Sequence, residues 1–139
     1  MSTIIYPITN LKTGVSLTIT RGEGVYVYDD QGNEYLEGMA GLWCTALGYN
    51  NGELIEAATR QMHELSYASM FFGKSHPTGQ ALGEKLAAMV PVKDAHIFFG
   101  NSGSDANDTQ MKMLRYYFNA IGKPEKKKII ARESSYHGI

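Results

Sequence analysis

The chain has 139 residues, of which 43% are hydrophobic and 19% are charged, and its 13 basic and 14 acidic side chains leave a formal net charge of −1. This composition suits a folded domain, or a part of a larger one, and excludes a disordered chain. The near-neutral charge excludes any general attraction to nucleic acid or to an anionic membrane.

The first predicted elements are β-strands, which alternating apolar and polar residues place at 15–20, 24–28 and 34–37. The Asp/Gly/Asn cluster at 29–33 predicts a hairpin turn between the last two strands. Trp43 follows among several glycines at 38–52, where irregular structure is expected.

Three amphipathic helices are predicted next, at 53–65, 77–90 and 104–121. Asn50 and Glu53 resemble a capping pair for the first, Pro91 ends the second and Gly122 caps the third. The residues expected to face inward are Leu54, Ala58, Met62 and Leu65, then Leu82, Leu86 and Met89, then Met111, Leu114, Phe118 and Ile121.

Short apolar runs at 95–99 and 128–131 predict strands on either side of the third helix. This strand–helix–strand order predicts α/β architecture.

The cysteine and histidine content limits location and metal chemistry. Cys44 is the only cysteine, which excludes an internal disulfide and favours a reducing compartment. Neither a signal peptide nor an apolar stretch of membrane-spanning length is recognisable, so a cytoplasmic location and no membrane partner are expected. The four histidines are scattered and Cys44 has no partner at ligand spacing, so no metal site is predicted.

The small-residue run Ser102-Gly103-Ser104 stands where the third helix begins. Its hydroxyls, its permissive glycine and the backbone N–H groups of a first helical turn suit a phosphate group. An ordinary turn capped by Ser102 or Ser104 explains the same residues. Asp105 and Asp108 favour this second interpretation because they already complement the helix dipole.

Several ring side chains have both a functional and a structural interpretation. Tyr136 follows a predicted strand, where it can stack on a planar ligand or simply mark the strand's boundary. His137 is a candidate base or ring-positioning group, or a structural hydrogen-bonding residue. Trp43 lines a pocket or belongs to the core, and Phe71 and Phe72 anchor a subunit interface or pack locally.

Four stretches, taken in order, resemble the class III (omega) aminotransferases, which depend on pyridoxal phosphate (PLP). They are 24–36, Gly38-Met39-Ala40-Gly41-Leu42-Trp43-Cys44, 98–108 and Tyr136-His137-Gly138. The second stretch is most similar to the amine–pyruvate branch of the family. The resemblance implies a small-domain β segment at 1–50, followed at 51–139 by the first part of a fold type I large domain. The sheet of this large domain would be incomplete within the chain.

The resemblance also implies roles for individual residues. Ser102, Gly103 and Ser104 would hold the cofactor phosphate, and Tyr136 would stack on the pyridine ring with His137 beside it. Asp105 stands where the family usually has Glu.

For the substrate, the resemblance implies that Trp43 lines the pocket. Phe71 or Phe72 would reach into the active site of a partner subunit, because such enzymes resemble homodimers with shared sites.

The family's Schiff-base lysine, its acidic partner of the pyridine nitrogen and its carboxylate-binding arginine all lie beyond the Tyr-His-Gly motif. No residue of this chain is therefore expected to be catalytic. The chain is interpreted as the N-terminal fragment of an aminotransferase, inactive alone, whose intact form moves an amino group between an amine or amino acid and a 2-oxo acid such as pyruvate.

Aminomutases and decarboxylases of the same fold share the cofactor-binding stretches, and the tryptophan stretch argues only mildly against them. Two functions of other classes are also considered. One is a non-catalytic truncated or split subunit that binds the PLP phosphate weakly or serves only in dimer assembly. The other is a nucleotide-binding module, which is disfavoured because neither Gly-x-Gly-x-x-Gly nor Gly-Lys-Ser/Thr occurs.

Overall fold

A computed structural model of the chain describes residues 3–10, 12, 14 and 17–138. Its elements are β1 (Ile19–Glu23), β2 (Tyr26–Asp29), β3 (Glu34–Leu36), α1 (Ala40–Trp43), α2 (Gly52–Leu65), α3 (Pro77–Met89) and α4 (Gly103–Ala120). The chain divides into two compact units, Met1–Ser69 and Met70–Ile139. The division into domains at 1–50 and 51–139 stays a prediction.

The first unit contains an antiparallel sheet in the order β1-β2-β3. Tyr26 pairs with Glu23 of β1 and with Leu36 of β3, and a register shift interrupts β1 between Ile19 and Arg21. The predicted hairpin is confirmed, although β1 begins later than expected. Residues 15 and 16 of the predicted first strand lie outside the described residues.

The turn between β2 and β3 is organised by the carboxylate of Asp29, which is only 5% exposed. Its Oδ1 accepts hydrogen bonds from the backbone N–H groups of Gln31 and Asn33, at 2.9 and 2.8 Å. Its Oδ2 accepts from Asn33 Nδ2 and from the Tyr35 hydroxyl, both at 2.9 Å. These bonds, above all that from the Asn33 side chain, lower the pKa of Asp29.

The helices begin at capping side chains. Asn51 caps α2, and its Oδ1 accepts from the Leu54 N–H at 3.2 Å. The prediction of Asn50 as the cap is wrong by one residue, because Asn50 has a φ of 56° whereas an N-cap needs the extended backbone that Asn51 adopts. His76 caps α3, and its Nδ1 accepts from the Gly79 N–H at 3.1 Å.

The strands predicted at 95–99 and 128–131 are wrong for this structure. Both segments are irregular over the described residues. A strand forms only where a neighbouring strand accepts and donates its backbone hydrogen bonds, and the described sheet contains only β1, β2 and β3. Apolar sequence alone therefore does not produce β-structure here.

Burial is sparse across the described residues. Val27 in β2 is the buried hydrophobic side chain among them, at 6% exposure. The predicted inward faces of the helices are not buried, since none of α2, α3 and α4 has a buried residue. The α4 face nevertheless meets the chain that follows, because Met111, Leu114 and Phe118 line a groove together with residues 126–129.

Among the described residues, no helix combines the length and the apolar character that a membrane span requires.

Candidate functional site

The loop before α4 is closed by its own side chains. Ser102 is the N-cap, and its Oγ accepts a hydrogen bond from the Asp105 N–H at 3.0 Å. The Ser102 carbonyl accepts from the Ala106 N–H, also at 3.0 Å. The capped-turn interpretation thus holds for Ser102. A hydroxyl that accepts through its oxygen can still donate its hydrogen, so capping leaves Ser102 able to face an anion.

The carboxylate of Asp105 folds back over this loop. Its Oδ2 accepts a hydrogen bond from the Asn101 N–H at 3.1 Å. A Cβ added to Gly100 would lie 2.8 Å from that oxygen. The absence of a side chain at Gly100 therefore makes room for the Asp105 carboxylate. With the Ser102 cap this makes a reciprocal pair similar to a capping box, in which Asp105 is bound to the loop backbone.

The second acidic residue of the helix, Asp108, pairs with Lys112 one turn further along. The hydrogen bond to Asp108 raises the pKa of Lys112, and both side chains are exposed. The lysine offsets the carboxylate charge near the helix N-terminus, which reduces its repulsion of a bound anion.

The Tyr136-His137-Gly138 segment lies against the first turns of α4. Asn107 Nδ2 donates a hydrogen bond to the His137 carbonyl at 2.8 Å, across 30 residues of sequence. A Cβ added to Gly138, whose φ is 107°, would lie 2.9 Å from Ser104 Cα. The backbones therefore approach as closely as a glycine permits. The structure brings together the loop and the Tyr-His-Gly segment, which were predicted from separate motifs.

This arrangement suits an anion attached to a planar ring. The first turn of a helix directs backbone N–H groups and positive potential outward at its N-terminus. A Cβ added to Gly103 would have open space around it, so a ligand can approach the backbone there. The Tyr136 side chain is 82% exposed, and its ring is available for contact.

Trp43 lies at the end of α1, which is a left-handed turn. The φ angles of Ala40, Leu42 and Trp43 are 48°, 61° and 69°, and that of Gly41 is 60°. Non-glycine residues in this region each cost about 1 kcal/mol, so the turn needs outside support. The Trp43 side chain is 82% exposed, which fits a pocket-lining interpretation better than a core position within this chain.

Phe71 and Phe72 lie in the second unit, on a tight turn. Their ring centroids are 6.1 Å apart at an interplanar angle of 47°, and the side chains are 74% and 97% exposed. Phe72 has a φ of 58°, so the backbone of this residue is strained. Their part in the site stays a prediction.

Asn107 and Glu37 are contact residues that the sequence patterns did not single out. Asn107 lies one helical turn beyond Gly103, and this spacing alone signals that it shares the face where the helix begins. The Glu37 carboxylate supports the turn that carries Trp43. Asn107 bonds to the backbone of a segment 30 residues away, whereas Glu37 bonds to amides two and four residues further along, and neither contact corresponds to a motif that predicted it.

Comparison with known proteins gives a consistent result. The family model described as aminotransferase class-III matches residues 9–139. The putrescine–pyruvate aminotransferase of Pseudomonas aeruginosa is 48% identical over 120 residues, covering 86% of this chain and 26% of that protein. The mitochondrial gamma-aminobutyrate transaminase 1 of Oryza sativa subsp. japonica is 48% identical over 123 residues, covering 88% of this chain and 24% of its own length.

Solved structures agree with these sequence matches. The omega transaminase of Pseudomonas jessenii in complex with PMP is 51% identical, with a TM-score of 0.92 over 98% of this chain and 31% of that one. A thermostable omega transaminase variant, in which a tryptophan is replaced by glycine for the asymmetric synthesis of bulky amines, is 48% identical, with a TM-score of 0.92 and the same coverage of both chains. The chain thus spans about a quarter to a third of the length of these relatives.

Proposed function

Because the chain belongs to the class-III aminotransferase family, we propose that the full-length protein is a PLP-dependent aminotransferase. It moves an amino group between an amine or amino acid and a 2-oxo acid such as pyruvate. The observation that carries this proposal, beside the family match, is the contact of the Tyr136-His137-Gly138 segment with the first turns of α4.

The family and the fold class predicted from the sequence are confirmed. The described helices and strands superpose on the corresponding part of omega transaminases of fold type I, with a TM-score of 0.92 at 51% identity. The chain supplies about a third of that fold, since it covers 31% of the matched structure.

PLP is the cofactor that this site would hold. Ser102, Gly103 and Ser104 would bind its phosphate at the N-terminus of α4, where hydroxyls and helix dipole favour a dianion. Tyr136 would cover the ring, with His137 beside it. When bound, PLP supplies an electron sink for bonds at the substrate's amine-bearing carbon.

The residues of this chain would bind and orient rather than transfer protons. The Asn107–His137 bond holds the Tyr136 backbone close to the helix that binds the phosphate. The segments that would hold the phosphate and the ring of the cofactor are then kept at a constant separation. This reduces the entropy that is lost when the reacting groups are brought together.

Trp43, Phe71 and Phe72 would contact the substrate. Trp43 is the only tryptophan of this chain, and the relative engineered for bulky amines carries glycine in place of a tryptophan. A large indole in the pocket would limit the size of the amine, so its removal would admit larger ones.

We further propose a homodimer with shared active sites, in which Phe71 or Phe72 reaches the partner's pocket. The exposure of both rings supports this proposal. A cytoplasmic location also remains a proposal, supported by the single cysteine. Several relatives of this family are named as mitochondrial.

The competing function is a non-catalytic subunit that binds PLP weakly or serves only in dimer assembly. The two differ in covalent chemistry. A catalytic assembly shows an imine absorbance band that borohydride removes while labelling a lysine, and a non-catalytic one shows neither.

The experiment uses the full-length protein, with putrescine or gamma-aminobutyrate as donor and pyruvate as acceptor. Formation of alanine that depends on added PLP supports the proposal, and its absence with every donor contradicts it. Tyr136→Ala should weaken PLP binding roughly tenfold. Tyr116→Ala is the matched control, since Tyr116 is a similarly exposed tyrosine at 78%, and it should leave PLP affinity unchanged.

A further inference from the structure

The left-handed turn α1 is held from outside by one carboxylate. Glu37 Oε1 accepts a hydrogen bond from the Met39 N–H at 2.9 Å, and Oε2 accepts from the Gly41 N–H at 2.5 Å. The Tyr49 hydroxyl also donates to Oε2, at 3.3 Å. Two backbone amides and a phenol thus converge on a single side chain, and bonds to an ionised acceptor are the stronger kind.

The turn needs this support because its backbone is strained. Ala40, Leu42 and Trp43 all have positive φ, a region that L-residues hold only where their surroundings over-determine it. Within the turn, the Trp43 N–H donates to the Met39 carbonyl at 2.9 Å and the Cys44 N–H to the Ala40 carbonyl at 2.8 Å. The amides of Met39 and Gly41 donate instead to the Glu37 carboxylate.

Both flanks of the turn are attached to the sheet. The Glu37 N–H donates to the Val25 carbonyl at 2.9 Å. Tyr49 and Gly24 exchange two backbone hydrogen bonds, at 3.1 and 2.7 Å. A Cβ added to Gly22 would lie 2.6 Å from the Tyr49 ring, so the ring lies directly on β1. Glu37 therefore joins the turn to a segment already anchored at two places.

The ionisation of Glu37 agrees with this role. The hydrogen bonds from Gly41 and Met39, the former most of all, lower the pKa of the Glu37 carboxyl. A lowered pKa in the folded protein means that the support is present at neutral pH and is lost only as pH falls through that lowered value.

From these contacts we infer that Glu37 is the positioning residue for Trp43: its carboxylate sets the left-handed turn that presents the indole, and so contributes to the choice of amine. The second part rests on the proposed function. Glu37 acts through the turn and does not itself touch the substrate.

The test compares Glu37→Gln and Tyr49→Phe with the wild type in the full-length protein. Gln keeps the shape but replaces one acceptor oxygen by a donor, so it cannot accept from both amides as the carboxylate does. Glu23→Gln is the matched control. Glu23 is an exposed carboxylate in the same unit, and its described ion pair is with Arg21.

Two measurements are made on each variant. Hydrogen exchange over 38–45, measured in peptides that begin at or before residue 36, reports the Met39 and Gly41 amides, and it should accelerate about tenfold in Glu37→Gln. The KM values for a small amine and for a bulky arylalkylamine report the position of the Trp43 indole, and the ratio of the two values should change severalfold. PLP affinity and the exchange of other peptides should stay unchanged. Tyr49→Phe should show the same changes to a smaller extent, and Glu23→Gln neither.

Each result decides the inference. Wild-type exchange and an unchanged KM ratio in Glu37→Gln overturn it. If Glu37→Gln fails to fold, Tyr49→Phe decides: faster exchange at 38–45 supports the inference and wild-type exchange overturns it. A full-length protein without aminotransferase activity contradicts the proposed function instead, and the exchange measurement still shows whether Glu37 holds the turn.

Discussion

The three-stranded sheet and the region from 95 to 138 differ in where their partners lie. Each strand of the sheet pairs with its neighbour in sequence, and the intervening turn is stabilised by Asp29. The segments at 95–99 and 128–131 are irregular, and no strand of the described sheet pairs with them. An antiparallel hairpin needs only local contacts, whereas strands of a largely parallel sheet need partners from distant sequence.

The second region is nevertheless organised where the cofactor would bind. The Asn107–His137 bond and the close approach of Gly138 to Ser104 hold its two ends together without any strand pairing. In this region one side-chain hydrogen bond and one glycine contact join two segments, whereas in the sheet backbone hydrogen bonds join the strands. Substitutions in the two regions should therefore have different readouts, cofactor affinity in one and stability in the other.

The largest effect is expected from Gly138→Ala. The added methyl would overlap Ser104 and strain a residue whose φ is 107°, so PLP affinity of the full-length protein should fall roughly 100-fold. Gly83→Ala is the matched control, because nothing lies within 4 Å of its added Cβ in α3. A PLP titration followed by absorbance measures both, and equal affinities would contradict the close approach.

Val27→Ala tests the other side of the comparison. Val27 is 6% exposed in β2, and its truncation should lower the free energy of unfolding by about 2 kcal/mol. Val25→Ala, at a position 55% exposed, should cost less than about 0.5 kcal/mol. Urea unfolding separates the two variants. PLP affinity should be unchanged in both, and a loss of affinity in Val27→Ala would mean that the regions are not independent.

Asp29→Asn should lower the melting temperature by roughly 5 °C at pH 7. The pKa of Asp29 is lowered in the folded chain, so its contribution to stability is present above the usual carboxyl pKa and is lost as pH falls through the lowered value. The difference between variant and wild type should therefore shrink at acidic pH. Thermal melts across this range measure it, and a difference that does not depend on pH would exclude the charged carboxylate as its source.

The smallest effect is expected from Asn107→Ala, which removes one neutral hydrogen bond to His137. PLP affinity should fall roughly fivefold, and Asn107→Asp should not restore it because a carboxylate cannot donate. Asn119→Ala, near the other end of the same helix, should have no effect on affinity. If Asn107→Asp bound PLP like the wild type, the hydrogen bond would not be the relevant contact.

Local sequence predicted the elements whose hydrogen bonds close within a few residues. The turn at 29–33, the three longer helices and the Ser102 cap were all predicted, because turn and capping side chains bond to a neighbouring backbone. The α2 cap was misplaced from Asn51 to Asn50, since either amide suits a cap and only the backbone angle distinguishes them. The ordered motifs also identified the family, which matches residues 9–139.

The tertiary structure alone decided which segments meet. No periodicity predicts that the Asn107 side chain donates to a carbonyl 30 residues away, or that the Tyr49 hydroxyl donates to the Glu37 carboxylate across 12 residues. Strand formation at 95–99 and 128–131 depends on partners, and helix faces are buried only where another layer covers them. The sequence by itself thus determined the hairpin turn, the three longer helices and the family, whereas the contact of the Tyr136-His137-Gly138 segment with α4 and the hydrogen bond of Tyr49 to Glu37 join segments that are distant along the chain.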